Sequence, residues 1–101
     1  MSFKEYLKEM FSEFEDIDDI VNSDLVKETS DELFSNDLEY YRDIKSILKR
    51  ALNYRNINNG VEWFKEEIDN RYMDETITKR LLSLLNWAQR QATKIEPDYY
   101  V

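Results

Sequence analysis

Residues 76–95 read TITKRLLSLLNWAQRQATKI, and this stretch decides the fold. Its apolar positions Ile77, Leu81, Leu84, Leu85, Ala88, Ala92 and Ile95 follow the i, i+4, i+7, i+8 steps of one helical face. Leu82 and Trp87 lie off that stripe and widen it, so more than one neighbour must pack there. A helix with so broad an apolar face is not stable alone in water, and its burial requires partner helices. The expected architecture is all-α: a small bundle of four to five helices, a single domain over residues 1–101.

Composition supports that reading. The chain has one Gly and one Pro, against a usual combined share of about 12%, so little punctuates strands or long loops. A chain of 101 residues buries roughly two thirds of the surface its unfolded form exposes, enough for one modest core. The chain has no Cys and no His. Disulfides, thiolate nucleophiles, Cys or His metal sites and imidazole acid–base catalysis are therefore excluded. Nothing approaches the roughly 18–20 apolar residues of a membrane span, and the N-terminus MSFKEYLKEM is charged from Lys4 onward. The expectation is a soluble, cytoplasmic protein. Heavy use of Asn, Asp, Glu, Lys, Ile and Tyr matches AT-rich bacterial and phage genomes.

Working back from the organising stretch, Asp74 or Thr76 is the expected N-cap of its helix, and Pro97 ends it. Residues 53–60, NYRNINNG, form the clearest turn, with Gly60 supplying tolerance of positive φ and Asn59 a new N-cap paired with Glu62. Val61, Phe64, Ile68 and Tyr72 or Arg71 then line a shorter amphipathic helix, with Trp63 one step off the stripe. A Trp there either seals the core edge or anchors a partner; sealing is the commoner role. Upstream, Asn36 begins a cap signal with Glu39, followed by the stripe Leu38, Tyr41, Ile44, Ile47, Leu48, Ala51, Leu52 and Arg55. Tyr40 lies about 100° from Tyr41, so at least one ring reaches the surface. Between residues 17 and 34 the apolar period Ile17, Ile20, Val21, Leu25 meets Asn22-Ser23-Asp24, which fits one bent helix or two short ones. At the start, Ser2 to Glu5 has the form of a capping box, and Phe3, Leu7, Met10, Phe11 and Phe14 trace one core-facing side. The tail 97–101 is apolar enough to fold back or to engage a partner.

Charge is the feature most informative about function. Residues 1–39 hold three bases and thirteen acids, a balance of −10, whereas residues 40–101 hold eleven bases and nine acids, a balance of +2. The net −8 therefore belongs to the N-terminal part. Such a surface repels nucleic acid and anionic lipid and attracts basic partners. Glu13, Glu15, Asp16, Asp18 and Asp19 crowd into seven positions, and Asp24, Glu28, Asp31 and Glu32 follow.

That run is not a calcium loop. With Asp16 and Asp18 as the first two ligands, Ile20 and Val21 would stand where an oxygen ligand and Gly are needed. A single Gly excludes a Gly-rich phosphate loop, and nothing resembles a nucleophilic Ser elbow. A carboxylate pair suffices for some hydrolases, but a small bundle leaves little room for the cleft it needs. No enzyme activity, catalytic residue, metal or cofactor is expected.

Two readings remain. The first is an acidic helical inhibitor of a basic, nucleic-acid-handling protein, of the immunity, antitoxin or phage anti-defence type and a possible nucleic-acid mimic. Its partner-binding residues would be the nine carboxylates, with Tyr40 and Trp63 as anchors. Direct nucleic-acid and membrane binding are not expected. The second is a structural or adaptor subunit that self-associates as a homo-oligomer through Trp, Tyr and tail residues, its acids serving solubility.

Overall fold

The computed structural model describes residues 13–101, and within them five helices follow one another. They are α1 (Ile17–Val21), α2 (Asp24–Phe34), α3 (Leu38–Leu52), α4 (Ile57–Tyr72) and α5 (Glu75–Ile95). No strand occurs among the described residues. The Ser2–Glu5 cap and the Phe3, Leu7, Met10 and Phe11 part of the first apolar face lie outside them.

The bundle is built on α5, as the breadth of its apolar face requires. Leu81, Leu84, Leu85, Ala88, Ala92 and Ile95 are buried, and α5 touches each of the other four helices. Ile20 and Val21 of α1, Val26 of α2, Ile44, Leu48 and Leu52 of α3, and Phe64 and Ile68 of α4 complete one core cluster. Leu82 and Trp87 are partly buried at its edge, where Phe14 meets Trp87 edge-on at 5.8 Å.

Several boundaries differ from the sequence reading. Residues 17–34 form two helices: Asn22 closes α1 through its N–H to the Asp18 carbonyl, and Ser23 starts α2 with extended backbone but no side-chain cap bond. This break resets the helical phase. Leu25 therefore leaves the Ile17–Ile20–Val21 face and is 40% exposed, while Val26, Thr29 and Ser30 turn inward. Asp37, not Asn36, caps α3 by accepting from the Glu39 and Tyr40 N–H groups, because Asn36 is held left-handed at φ 65. Leu38 belongs to the apolar stripe by spacing, yet it is 66% exposed, since it opens α3 beyond the end of the core.

The α3–α4 turn is shorter than its composition implies. Asn56 is the N-cap of α4 and accepts from the Asn59 N–H, so Asn59 and Gly60 lie inside the helix. Gly60 has no positive φ. Its role is proximity: a Cβ there would sit 2.7 Å from the Ala51 carbonyl oxygen. Of the two caps expected for α5, Asp74 is the one used, its carboxylate accepting from the Ile77 N–H at 3.0 Å.

Past Pro97 the chain folds back over this turn. Tyr100 Oη donates to the Leu52 carbonyl at 2.6 Å, Tyr99 Oη donates to the Asn53 carbonyl, and the Val101 N–H donates to the Arg55 carbonyl at 3.0 Å. Burial first, and then the nearby Glu96 and Tyr99, push the Tyr100 hydroxyl up to about 12.

Candidate partner-binding surface

A helix places residues i, i+4, i+7 and i+8 on one side. Asp24, Glu28, Asp31 and Glu32 hold those positions on α2, opposite the buried Val26, Thr29 and Ser30. They form a carboxylate stripe about 12 Å long at 1.5 Å rise per residue. Asp24, Glu28 and Glu32 are exposed and Asp31 is half-buried. Glu13, Glu15, Asp16, Asp18 and Asp19 are also exposed, in the segment that leads into α1 and α1 itself. All nine carboxylates thus reach the outside.

They are not all equally available. Asp18 pairs with Lys49 of α3 at 2.8 Å, Asp31 with Lys27 at 2.5 Å, and Glu32 with Arg80 of α5. The hydrogen bond from Lys49 to Asp18, and then the Asp18 charge, hold the lysine above its usual value, with Asp16 adding to the effect. Two further carboxylates have local work. Asp16 accepts from the Asp19 N–H at 2.9 Å as the cap of α1, and Asp19 accepts from the Glu15 N–H at 3.1 Å. Glu13, Glu15, Asp16, Asp19, Asp24 and Glu28 make no ion pair among the described residues. Exposed pairs such as those of Asp18 and Glu32 are screened by solvent and contribute little, so a partner's cations can replace them.

Nor do the acids form one patch. Glu13 and Asp24 line a shallow depression with Asn22, Leu25 and Trp87. Asp16 and Asp18 line another with Lys49, Asn53 and Tyr99. The acidic surface therefore divides at α1, and only the α2 side continues as a stripe.

The two aromatic candidates sit at different ends of the bundle. Tyr40 is 41% exposed, its ring stacked on Phe34 with centroids 4.4 Å apart and 6.0 Å from Tyr72. Tyr41 points away from it, beneath the ammonium groups of Lys45 at 4.2 Å and Lys27 at 5.1 Å. Trp63 is partly buried against the core, with Arg50 4.8 Å over its ring and Tyr54 stacked 6.1 Å away. Arg50 lies ten residues beyond Tyr40 on α3, about 15 Å along the axis. Trp63 seals the α3–α4 edge, whereas Tyr40 stands at the far end, where the α2 stripe leads.

That end also holds two residues the sequence did not single out. Leu38 is 66% exposed and Met73 86% exposed, the latter in left-handed backbone at φ 51. Apolar spacing assigns Leu38 to a core stripe, and no periodicity marks Met73. Among the described residues no three or more Asp or Glu side chains converge as a metal site requires, and no helix is long and apolar enough to cross a membrane. Comparison with protein-family models, with curated proteins and with solved structures finds no match to this chain.

Proposed function

We propose that this chain is a stoichiometric binding protein that captures and inhibits a basic, nucleic-acid-handling protein, in the manner of immunity proteins, antitoxins or phage anti-defence inhibitors. The observation that carries the reading is the stripe of Asp24, Glu28, Asp31 and Glu32 on α2, exposed except for half-buried Asp31 and extended at its start by Glu13. Successive carboxylates at i and i+4 lie about 6 Å apart along the axis, a linear array of negative charge suited to a cationic groove. Such an array steers encounter and selects partners, while affinity comes from desolvated apolar anchors.

The test is capture from a bacterial lysate at low and high salt, using wild type and a variant carrying Glu13→Gln, Glu15→Gln, Asp24→Asn and Glu28→Gln. These substitutions remove charge and leave the Asp16 cap and the Asp19 bond to the Glu15 N–H intact. The expected result is a basic nucleic-acid-handling protein whose capture weakens with salt and with the substitutions, and whose activity falls when wild type is added. Unchanged capture by the variant, with unchanged salt dependence, overturns the proposal.

Self-association is the second reading, and exposed Leu38 and Met73 are the features that favour it. Tyr99 and Trp63 do not, since both are engaged within the chain. Light scattering over a range of concentrations separates a monomeric binder from a self-assembling subunit.

A further inference from the structure

We infer that the end of the bundle formed by the α2–α3 and α4–α5 turns is the anchoring face for a basic protein segment that carries an apolar side chain flanked by Lys or Arg. This rests on the proposed function and names the surface that would supply its affinity.

Left-handed backbone at two helix ends, carried by residues other than Gly, is the first observation. Ser35, Asn36 and Met73 have positive φ, at 53, 65 and 51, and they lie in these two turns. The turns meet through Phe34 and Tyr72, whose rings are 5.1 Å apart. Asn takes left-handed geometry at little cost and Gly at none, but a side chain such as that of Met is disfavoured there. Met73 closes α4 with its own N–H, donated to the Asp69 carbonyl at 3.1 Å, a bond any non-proline residue makes. Its side chain is 86% exposed, so it contributes little to the core. A flexible thioether at a strained, exposed position is a contact residue in search of a surface.

The second observation is the company it keeps. Five large hydrophobic residues are exposed among those described, and three of them, Leu38, Tyr40 and Met73, are at this end. Met73 also forms one wall of a groove of about 490 Å³ between α4 and α5, lined besides by Leu82 and Thr78, by the carboxylates of Asp69, Asp74 and Glu75, and by Lys65 and Lys79. The groove's polar contacts are internally satisfied, since the Thr78 hydroxyl lies 3.0 Å from an Asp69 carboxylate oxygen and 2.9 Å from the Asp74 carbonyl.

Charge selects the occupant. Asp37, Glu39, Asp69 and Asp74 surround the exposed apolar residues without an ion pair among the described residues. Asp43, Glu75 and Glu32 are answered by Arg71, Lys79 and Arg80. Arg42 and Lys65 are the remaining cations nearby, so the rim is acidic in balance. The α2 stripe ends at Glu32, one half-turn before Phe34 of this face, so the acidic surface leads to it. An apolar side chain set among Lys or Arg matches both the exposed residues and their rim.

The test uses a synthetic amphipathic Leu/Lys helical peptide, its Leu/Glu counterpart, and protein labelled at the Met and Leu methyl groups. The Leu/Lys peptide is expected to shift the Met73 and Leu38 methyl resonances saturably, and the Leu/Glu peptide is not. Met73→Gly is expected to keep or raise the thermal midpoint while weakening the Leu/Lys peptide about tenfold or more, a combination that loss of structure does not produce. Shifts confined to other methyls, or equal affinity of Met73→Gly, overturn the inference. So does protection of these methyls by dimer formation without peptide. If charge removal at Glu13, Glu15, Asp24 and Glu28 weakens capture of the lysate partner but Met73→Gly does not, the binding function stands and this face is discarded.

Discussion

Gly60 offers a sharp test of how the bundle is packed. In a helix interior Ala is about 1 kcal/mol more favourable than Gly, so Gly60→Ala inside α4 would stabilise the protein if nothing else touched it. The added methyl would lie 2.7 Å from the Ala51 carbonyl oxygen, with Gln89 Nε2 and Tyr54 Cβ at 3.4 Å. That oxygen cannot withdraw cheaply, because it accepts from the Tyr54 N–H at 3.2 Å and from the Asn53 cap N–H. Overpacking of this kind costs about 1–3 kcal/mol, and a rigid backbone neighbour favours the upper half of that range. The net expectation is a loss of about 1–2 kcal/mol, or a fall in Tm of roughly 4–16 °C for a domain of this size. Urea unfolding followed by circular dichroism measures it, with Asn59→Ala as a control on the same turn, expected within about 0.5 kcal/mol of wild type. A Gly60→Ala variant as stable as wild type, or more so, would refute the argument that α3 and α4 approach too closely there for a side chain.

Two further outcomes follow from buried polar groups. Ser30 is 1% exposed and its hydroxyl has no hydrogen-bond partner among the described residues; Ser30→Ala removes an unsatisfied group and is expected to stabilise by about 1 kcal/mol, whereas destabilisation in urea would mean the hydroxyl is satisfied. Tyr100 titrates at about 12 when folded and near 10 when unfolded. The folded state thus holds this proton more tightly, and the associated stability is complete below pH ~10 and lost as pH rises towards about 12. Tyr100→Phe is expected to be weaker at neutral pH through loss of the bond to Leu52. It is also expected to lose less stability than wild type between about pH 8 and pH 11; equal losses in the two proteins would show that burial of this hydroxyl is not responsible.

Helical class, the primacy of residues 76–95 and the breadth of their buried face were legible in the sequence. Spacing alone puts Leu81, Leu84, Leu85, Ala88 and Ile95 on one side, and a face that wide demands several neighbours. The concentration of acids before residue 40 was equally plain, and the nine from Glu13 to Glu32 do reach the surface, since charged carboxylates stay in water. Pairing was not legible. Lys49 reaches Asp18 and Arg80 reaches Glu32 across gaps of 31 and 48 residues, which only the approach of separate helices brings together.

The same distinction separates Gly60 and Met73 from their composition. A lone Gly among Asn residues announces a turn, and the chain does turn nearby; yet Gly is required because another helix's carbonyl occupies the space a Cβ would take. A Met between Tyr and Asp announces nothing. Its left-handed geometry and exposure arise where α4 must stop and α5 must start against the same core. Local periodicity and charge are properties of consecutive residues and can be read along the chain. Proximity, ion pairing and strain depend on distances between residues far apart in it, and so were decided by how the five helices close on one another.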